Sequence, residues 1–109
     1  MAACGWIGVD LDGTLAEYNG WVGPDHIGAP VPKMLERVKK WVCDGVDVRV
    51  FTARAGSPEQ VPPVVAWCVT HIGVELPVTA TKDYAMIELW DDRAIQVKPN
   101  TGVRVDGKD

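Results

Sequence analysis

The sequence has few of the features that mark several classes of protein. It has three cysteines in 109 residues, Cys4, Cys43 and Cys68, and none of them lies in a C-x-x-C pair. This odd, widely spaced set argues against a disulfide framework or a zinc site and favours reduced thiols in a cytoplasmic protein. No apolar run approaches the ~18 residues of a membrane span. We therefore expect neither a membrane partner nor a signal peptide.

Positive charge is also scarce. Eleven Lys and Arg side chains stand against fifteen Asp and Glu side chains, which gives a formal net charge of −4. We therefore do not expect a broad electrostatic contact with nucleic acid or an anionic membrane, although a small local basic patch is compatible with this charge. With 47% hydrophobic residues, the chain is long enough to bury a core as a single domain over residues 1–109.

Short apolar segments alternate with helical patterns along the chain. Helical spacing of apolar residues predicts one helix from Pro32 to Asp44-Gly45 and another that starts near Val61 or Pro62. This alternation, with nearly continuous apolar strands, is typical of a parallel sheet covered on both faces. We predict a small doubly wound, Rossmann-like α/β domain with three layers (α/β/α) and a mainly parallel sheet. About five strands are predicted: Trp6–Val9, Val46–Phe51, Leu76–Thr79, Ala85–Trp90 and Ala94–Val97.

Residues 16–31 form a predicted loop that is rich in Gly and Pro and carries Tyr18, Trp21 and His26. Ordered loops of this length are often functional. Two interpretations remain open. The loop is either a connector that packs Tyr18 and Trp21 for stability, or a flap that lies over a site and contacts substrate.

Two carboxylates directly follow the first predicted strand. Asp10 and Asp12 are two residues apart, so along an extended backbone their side chains point to the same side. Ligands of open α/β sheets bind at the carboxyl ends of the strands. Gly13 then lets the chain leave the strand through backbone angles that a Cβ would resist.

Polar residues also follow the other predicted strands: Thr52, Lys82, and the pair Asp91 and Asp92. Right-handed crossovers would bring all of them to one edge of the sheet. Two carboxylates ~4 Å apart repel by about 4 kcal/mol at an effective dielectric of about 20, so four in one crevice need cations. Lys82 supplies one positive charge. Mg²⁺ would supply two more, and it prefers carboxylates, water and phosphate oxygens as ligands. The sequence therefore predicts a Mg²⁺ site that takes a phosphate.

Such a site suits phosphoryl transfer. One aspartate of the first strand can attack phosphorus and form an aspartyl-phosphate. The other can protonate the leaving alcohol and then activate water. Thr52 can donate a hydrogen bond to a phosphoryl oxygen, and Lys82 can stabilise the charge there.

Four motifs resemble those of the haloacid dehalogenase superfamily. Asp10-Leu11-Asp12-Gly13-Thr14-Leu15 is similar to its first motif, D-x-D-G-T-L, and Phe51-Thr52 is similar to its second. Lys82 stands where the lysine of the third motif is expected, and Leu89-Trp90-Asp91-Asp92 resembles the fourth, acidic motif. The motifs occur in the order of the family and cover residues 6–95.

The resemblance implies separate roles for the two aspartates, Asp10 as nucleophile and Asp12 as general acid/base. It implies Mg²⁺ bound by the Asp10 side chain, the Asp12 backbone carbonyl and either Asp91 or Asp92. Within the family, an aspartate two residues after the nucleophile favours a phosphatase over a dehalogenase. Residues 16–31 are too short for the usual cap domain. The chain therefore resembles a minimal, capless hydrolase, a Mg²⁺-dependent phosphomonoesterase.

An open site supplies little specificity, so the phosphorylated substrate is left open between a small molecule and a macromolecule. A second subunit could serve as the lid, which would make the protein a homo-oligomer. Two alternatives remain, a phosphatase for nucleotides or nucleic-acid ends, and a non-catalytic module that binds Mg²⁺ or a protein. For Arg54, a salt bridge to Glu17 or another acid competes with a substrate contact. The candidates for phosphate or substrate contact are Gly13, Thr52, Ala53, Arg54 and Lys82.

Overall fold

The computed structural model describes residues 5–108 and shows an α/β architecture with four strands and two α-helices. Two short 3₁₀ helices, Ala53–Gly56 and Pro58–Gln60, connect the second strand to the second α-helix. In chain order the main elements are β1 (Trp6–Val9), α1 (Pro32–Cys43), β2 (Val48–Phe51), α2 (Val61–His71), β3 (Val78–Thr79) and β4 (Met86–Trp90).

The four strands form one parallel sheet in the order β3-β2-β1-β4. The chain builds the sheet in one direction from β1 to β3 and then crosses back to add β4 on the other side of β1. The order of the strands therefore reverses between β1 and β4. In open α/β sheets, ligands bind at the carboxyl ends of the strands beside such a reversal.

The core lies between one face of the sheet and both helices. Ile7 pairs with Val48 and Val9 pairs with Val50, so these four buried side chains lie on the same face. The same core cluster contains residues of both helices, Met34, Val38, Val64, Trp67 and Cys68. Because both helices contribute to this cluster, the predicted three-layer arrangement with helices on each face stays a prediction.

The proline signals at the helix starts are confirmed. Pro32 is the first residue of α1, and Pro62 and Pro63 lie in the first turn of α2, where a backbone N–H has no partner within the helix. The predicted end of α1 is also confirmed, because Gly45 follows the helix with φ of +79°.

The predicted fifth strand, Ala94–Val97, is wrong. Within residues 5–108 the sheet has four strands, and Val97 instead forms an isolated antiparallel bridge with Arg104. The Lys98 N–H donates to the Val103 carbonyl at 2.7 Å, and the Val105 N–H donates to the Gln96 carbonyl at 2.9 Å. The segment therefore folds back on itself after β4, and its apolar residues stay exposed, with Ile95 at 56% and Val97 at 50%.

The cysteines described by the structure are unpaired. Cys43 is exposed and Cys68 is buried in α2, whereas Cys4 lies outside the described residues. Neither α-helix of residues 5–108 is long and apolar enough to cross a bilayer.

Candidate active site

Three carboxylates meet at the carboxyl ends of β1 and β4. Val9 pairs with Trp90, so the next residues, Asp10 and Asp91, leave the sheet side by side. The Asp10 N–H donates to the Trp90 carbonyl at 2.9 Å, which extends the pairing to the first carboxylate. One carboxylate oxygen each of Asp10, Asp91 and Asp92 lies within 4.8 Å of the other two. We call these three residues the acidic triad.

Thr14 and Gly13 hold Asp92 in the triad. The Thr14 hydroxyl donates to Asp92 Oδ1 at 3.0 Å, and Thr14 Oγ1 accepts from the Asp92 N–H at 2.9 Å. Gly13 has φ of +95°, and a Cβ at this position would lie 2.6 Å from Asp92 Oδ2. Glycine is therefore required both by the backbone angle and by the close approach of the carboxylate. The sequence analysis gave no role to Thr14, although its position within the first motif was a signal.

The acidic triad perturbs the titration of Asp10. Burial is the largest cause, followed by the charge of Asp91, a hydrogen bond that protonated Asp10 donates to Asp92, and the charges of Asp92 and Asp12, and together they raise the pKa of Asp10 from 3.8 to about 7. Desolvation and neighbouring negative charge both disfavour the ionised carboxylate. A cation at this place would reverse the electrostatic part of the effect.

Asp12 has a different environment, because it forms an ion pair with Arg54. Arg54 Nε donates to Asp12 Oδ2 at 2.8 Å, and Nη2 donates to Oδ1 at 2.9 Å. The Arg54 side chain is only 5% exposed and that of Asp12 is 20% exposed. The salt bridge considered for Arg54 is therefore present, with Asp12 as the acid. Each Asp12 oxygen accepts one hydrogen bond from the guanidinium, and each keeps a further lone pair that can take a proton.

Arg54 also anchors the loop of residues 16–31. Its Nη1 donates to the Pro24 carbonyl at 3.2 Å, and its Nη2 donates to the His26 carbonyl at 3.0 Å. Its guanidinium carbon lies 4.9 Å from the centroid of the Trp21 ring. One buried cation thus connects the first motif, the end of β2 and the loop.

Thr52 lies at the end of β2 and is buried. Its Oγ1 accepts a hydrogen bond from the Arg54 N–H at 3.2 Å. A hydroxyl can accept and donate at the same time, so the Thr52 O–H can still donate to an oxygen atom in front of the sheet.

These elements surround an open crevice of about 710 Å³. The crevice brings together most of the residues that the sequence singled out, and it adds Gln60, Arg93 and Ala94, to which the sequence analysis gave no role in the site. Lys82 and Gly13 are exposed and are not among the residues that line it within the described part of the chain. The lining residues include Asp10, Asp12, Tyr18, Trp21, Phe51, Thr52, Ala53, Arg54, Asp91 and Asp92.

Comparisons with other proteins bear on the fold alone. No protein-family model matches the chain, and no curated protein matches it. Among solved structures, the fold is similar to that of a conserved protein from Bacteroides thetaiotaomicron, with a TM-score of 0.61. The two sequences are 21% identical, and the match covers 81% of this chain and 75% of that chain. At this identity the similarity supports the shared fold and carries no information about activity.

Proposed function

We propose that the chain is a Mg²⁺-dependent phosphomonoesterase of the haloacid dehalogenase type, a capless, Rossmann-like hydrolase. The observation that carries the proposal is the acidic triad beside buried Thr52 in one crevice. The triad lies between β1 and β4, where the strand order reverses. A crevice with clustered carboxylates and a hydroxyl donor suits a ligand that combines a divalent cation with a phosphate.

The donor set of the acidic triad fits Mg²⁺. Its members offer hard carboxylate oxygens within 4.8 Å of one another, and none of the ion pairs found among residues 5–108 includes a member of the triad. Asp10, Asp91 and Asp92 would hold the ion. When bound, Mg²⁺ would neutralise charge between the carboxylates and the phosphate and so permit the approach of an anionic nucleophile.

Asp10 is the proposed nucleophile. A carboxylate oxygen of Asp10 forms a bond to phosphorus, and the bond between phosphorus and the leaving oxygen breaks, which leaves an aspartyl-phosphate and an alcohol. The Thr52 hydroxyl donates to a phosphoryl oxygen and keeps the group oriented. Lys82 is retained as the proposed cation of the third motif, and it would have to reach the phosphate from outside the crevice lining.

Asp12 is the proposed general acid and base. It would protonate the leaving oxygen in the first step and take a proton from water in the second, when water attacks phosphorus and Asp10 is released. Both Asp12 oxygens accept hydrogen bonds from Arg54, and the remaining lone pair of either oxygen would carry the proton. If one of the bonds to Asp12 opens, the freed Arg54 N–H would donate to a phosphate oxygen, to which guanidinium groups bind well.

The pairing of Asp12 with Arg54 also favours a second candidate function. If Asp12 serves only as the structural partner of Arg54, the chain lacks an acid/base group, and the acidic triad would serve only to bind a cation or a partner protein. This is the non-catalytic Mg²⁺-binding module. The two candidates differ in whether the protein turns over phosphate esters, and both predict that it binds Mg²⁺.

Hydrolysis of p-nitrophenyl phosphate by the purified protein tests the proposal. We expect turnover that requires Mg²⁺, stops with excess EDTA and falls by on the order of 10³-fold or more in Asp10→Asn, because a nucleophile is lost. Asp47→Asn is the matched control, since Asp47 is an exposed aspartate paired with Arg49 outside the crevice. Mg²⁺ binding without hydrolysis of this ester or of a broad panel of phosphomonoesters would overturn the proposed phosphatase activity and favour the non-catalytic binding module.

A further inference from the structure

Two exposed aromatic side chains line the crevice on the side of the loop. Trp21 is 55% exposed and Tyr18 is 46% exposed, and both share the crevice with Asp10 and Thr52. An aromatic side chain that only stabilises a loop would be expected to bury most of its surface. The interpretation of these residues as packing for a connector therefore accounts for only about half of the surface of each side chain.

The Trp21 ring packs on Arg54, and the loop around it is attached to the rest of the protein. The Arg54 guanidinium lies 4.9 Å from the Trp21 ring, and Arg54 itself is buried and bonded to Asp12 and to two carbonyls of the loop. Farther along the loop, Trp67 Nε1 of α2 donates to the Gly28 carbonyl at 3.0 Å. The loop is thus attached both to the site and to the core. The Trp21 ring therefore has a contact with the site before any ligand binds, and such preorganisation lowers the entropy cost of stacking on it.

The geometry points to a substrate class for the site, and this inference rests on the proposed phosphatase function. We propose that Trp21, with Tyr18, binds a planar aromatic ring in the part of the substrate that leaves with the alcohol. The preferred substrates are then phosphomonoesters that carry such a ring.

The size of the crevice agrees with this class. A volume of about 710 Å³ lies within the roughly 300–1,000 Å³ of small-molecule sites, and it exceeds what a phosphate group alone would fill. Stacking is tolerant of ring identity, because every planar ring offers a π-face. The site would therefore select for the presence of a ring more strongly than for its substituents.

Two sources of this chemistry are distinguished by the spacing between ring and phosphate. Phenyl phosphate carries the ring directly on the ester oxygen, whereas adenosine and uridine 5′-monophosphates carry it beyond a sugar. Ribose 5-phosphate has the sugar without the ring. We expect kcat/KM for at least one ring-bearing ester to exceed that for ribose 5-phosphate by about fivefold or more, the effect of one base–aromatic stack. Because phenoxide is a better leaving group than a sugar alkoxide, the spacing is identified by the ester whose kcat/KM falls most in Trp21→Ala.

Variants of Trp21 assign this preference to the ring. Trp21→Ala should lower the ratio of kcat/KM between the preferred ring-bearing ester and ribose 5-phosphate by about fivefold or more, and Trp21→Phe should keep most of the ratio. Tyr84→Ala is the matched control, because Tyr84 is an exposed aromatic residue outside the crevice lining. It should leave the ratio unchanged.

The failures of the two proposals are distinguishable. Equal kcat/KM for all these esters, or a ratio that survives Trp21→Ala, would overturn the ring preference and leave the phosphatase proposal intact. Absence of hydrolysis for every ester would overturn the phosphatase and this inference with it. A preference for ring-bearing esters that Trp21→Ala removes and Trp21→Phe retains would support the assignment.

Discussion

The two aspartates of the first motif, two residues apart, meet opposite electrostatic conditions. On the β4 side, Asp10 faces Asp91 and Asp92, and its pKa is raised to about 7. On the β2 side, Asp12 is paired through both oxygens with buried Arg54. The β2 side is therefore neutralised by the protein itself, whereas the β4 side keeps a charge that a cation from solution can satisfy. Strand neighbours, more than sequence spacing, decide which carboxylate can take a metal.

Removal of the Arg54 guanidinium should have the largest effect on stability. Arg54→Met leaves a partly buried Asp12 without its partner and detaches the loop carbonyls, so we expect about 3 kcal/mol of destabilisation, the low end for a broken buried pair. Urea denaturation gives this value directly.

Arg49→Met is the matched control for that measurement. Arg49 also pairs with an aspartate, Asp47, and stacks on a tryptophan, Trp6, at 4.6 Å, but this pair is much more exposed. We expect a loss of about 1 kcal/mol or less, as for other exposed pairs. Equal losses of unfolding free energy in the two variants would show that the pair of Asp12 and Arg54 contributes no more to stability than an exposed pair.

Addition of Mg²⁺ should stabilise the protein through the β4 side of the site. Because the ion would bind the acidic triad of the folded protein, Mg²⁺ at about 100 times its Kd should stabilise the protein by roughly 2.7 kcal/mol. A thermal melt with and without the ion measures this as a rise in Tm. Asp91→Asn should shrink the rise, whereas Asp47→Asn, which changes an exposed aspartate outside the crevice, should not. A rise of the same size in both variants would place the ion elsewhere.

The β4 side of the site also predicts a pH dependence for the metal-free protein. The pKa of Asp10 rises from 3.8 to about 7 on folding, so in this interval the folded state binds more protons than the unfolded state. The contribution of Asp10 to stability is therefore fully present below pH 3.8 and is lost as the pH rises through about 7.

The difference in unfolding free energy between the protein and Asp10→Asn isolates this contribution. The variant should gain stability relative to the original protein as the pH rises from about 4 to 7. Asp83 and Asp106 have lowered pKa values, so they act at lower pH, outside this interval. A constant difference across the interval would argue against a charged cluster around Asp10.

Local signals predicted much of this fold. Pro32 and Gly45 mark the ends of α1, and the apolar run before Asp10 defines β1, because helix starts, helix ends and buried strands depend on a few adjacent residues. The fifth strand was predicted wrongly because adjacent residues alone did not define its structure. The apolar residues around Val97 would suit a sheet strand or a small hairpin equally well, and only the partner segment distinguishes the two.

The contacts that define the site were harder to predict. Asp12 and Arg54 are 42 residues apart, and Thr14 and Asp92 are 78 apart. The sequence analysis placed carboxylates at strand ends correctly, because parallel strands share an edge. It could not show which acid Arg54 would neutralise, because that depends on the path of the loop above β2. It also did not anticipate that Lys82 would lie exposed, outside the crevice lining.

The position of β4 has a consequence for how the protein folds. Its pairing with β1 joins the first and last strands of the sheet, so the acidic triad exists only after a closure across about 78 residues. Closure of so long a loop is slow, and here it also brings like charges together. A divalent cation would counter this repulsion at the moment of closure. If this closure limits the rate of folding, the ion required by the proposed chemistry would also accelerate folding, and refolding in chelator should be slower than refolding in Mg²⁺.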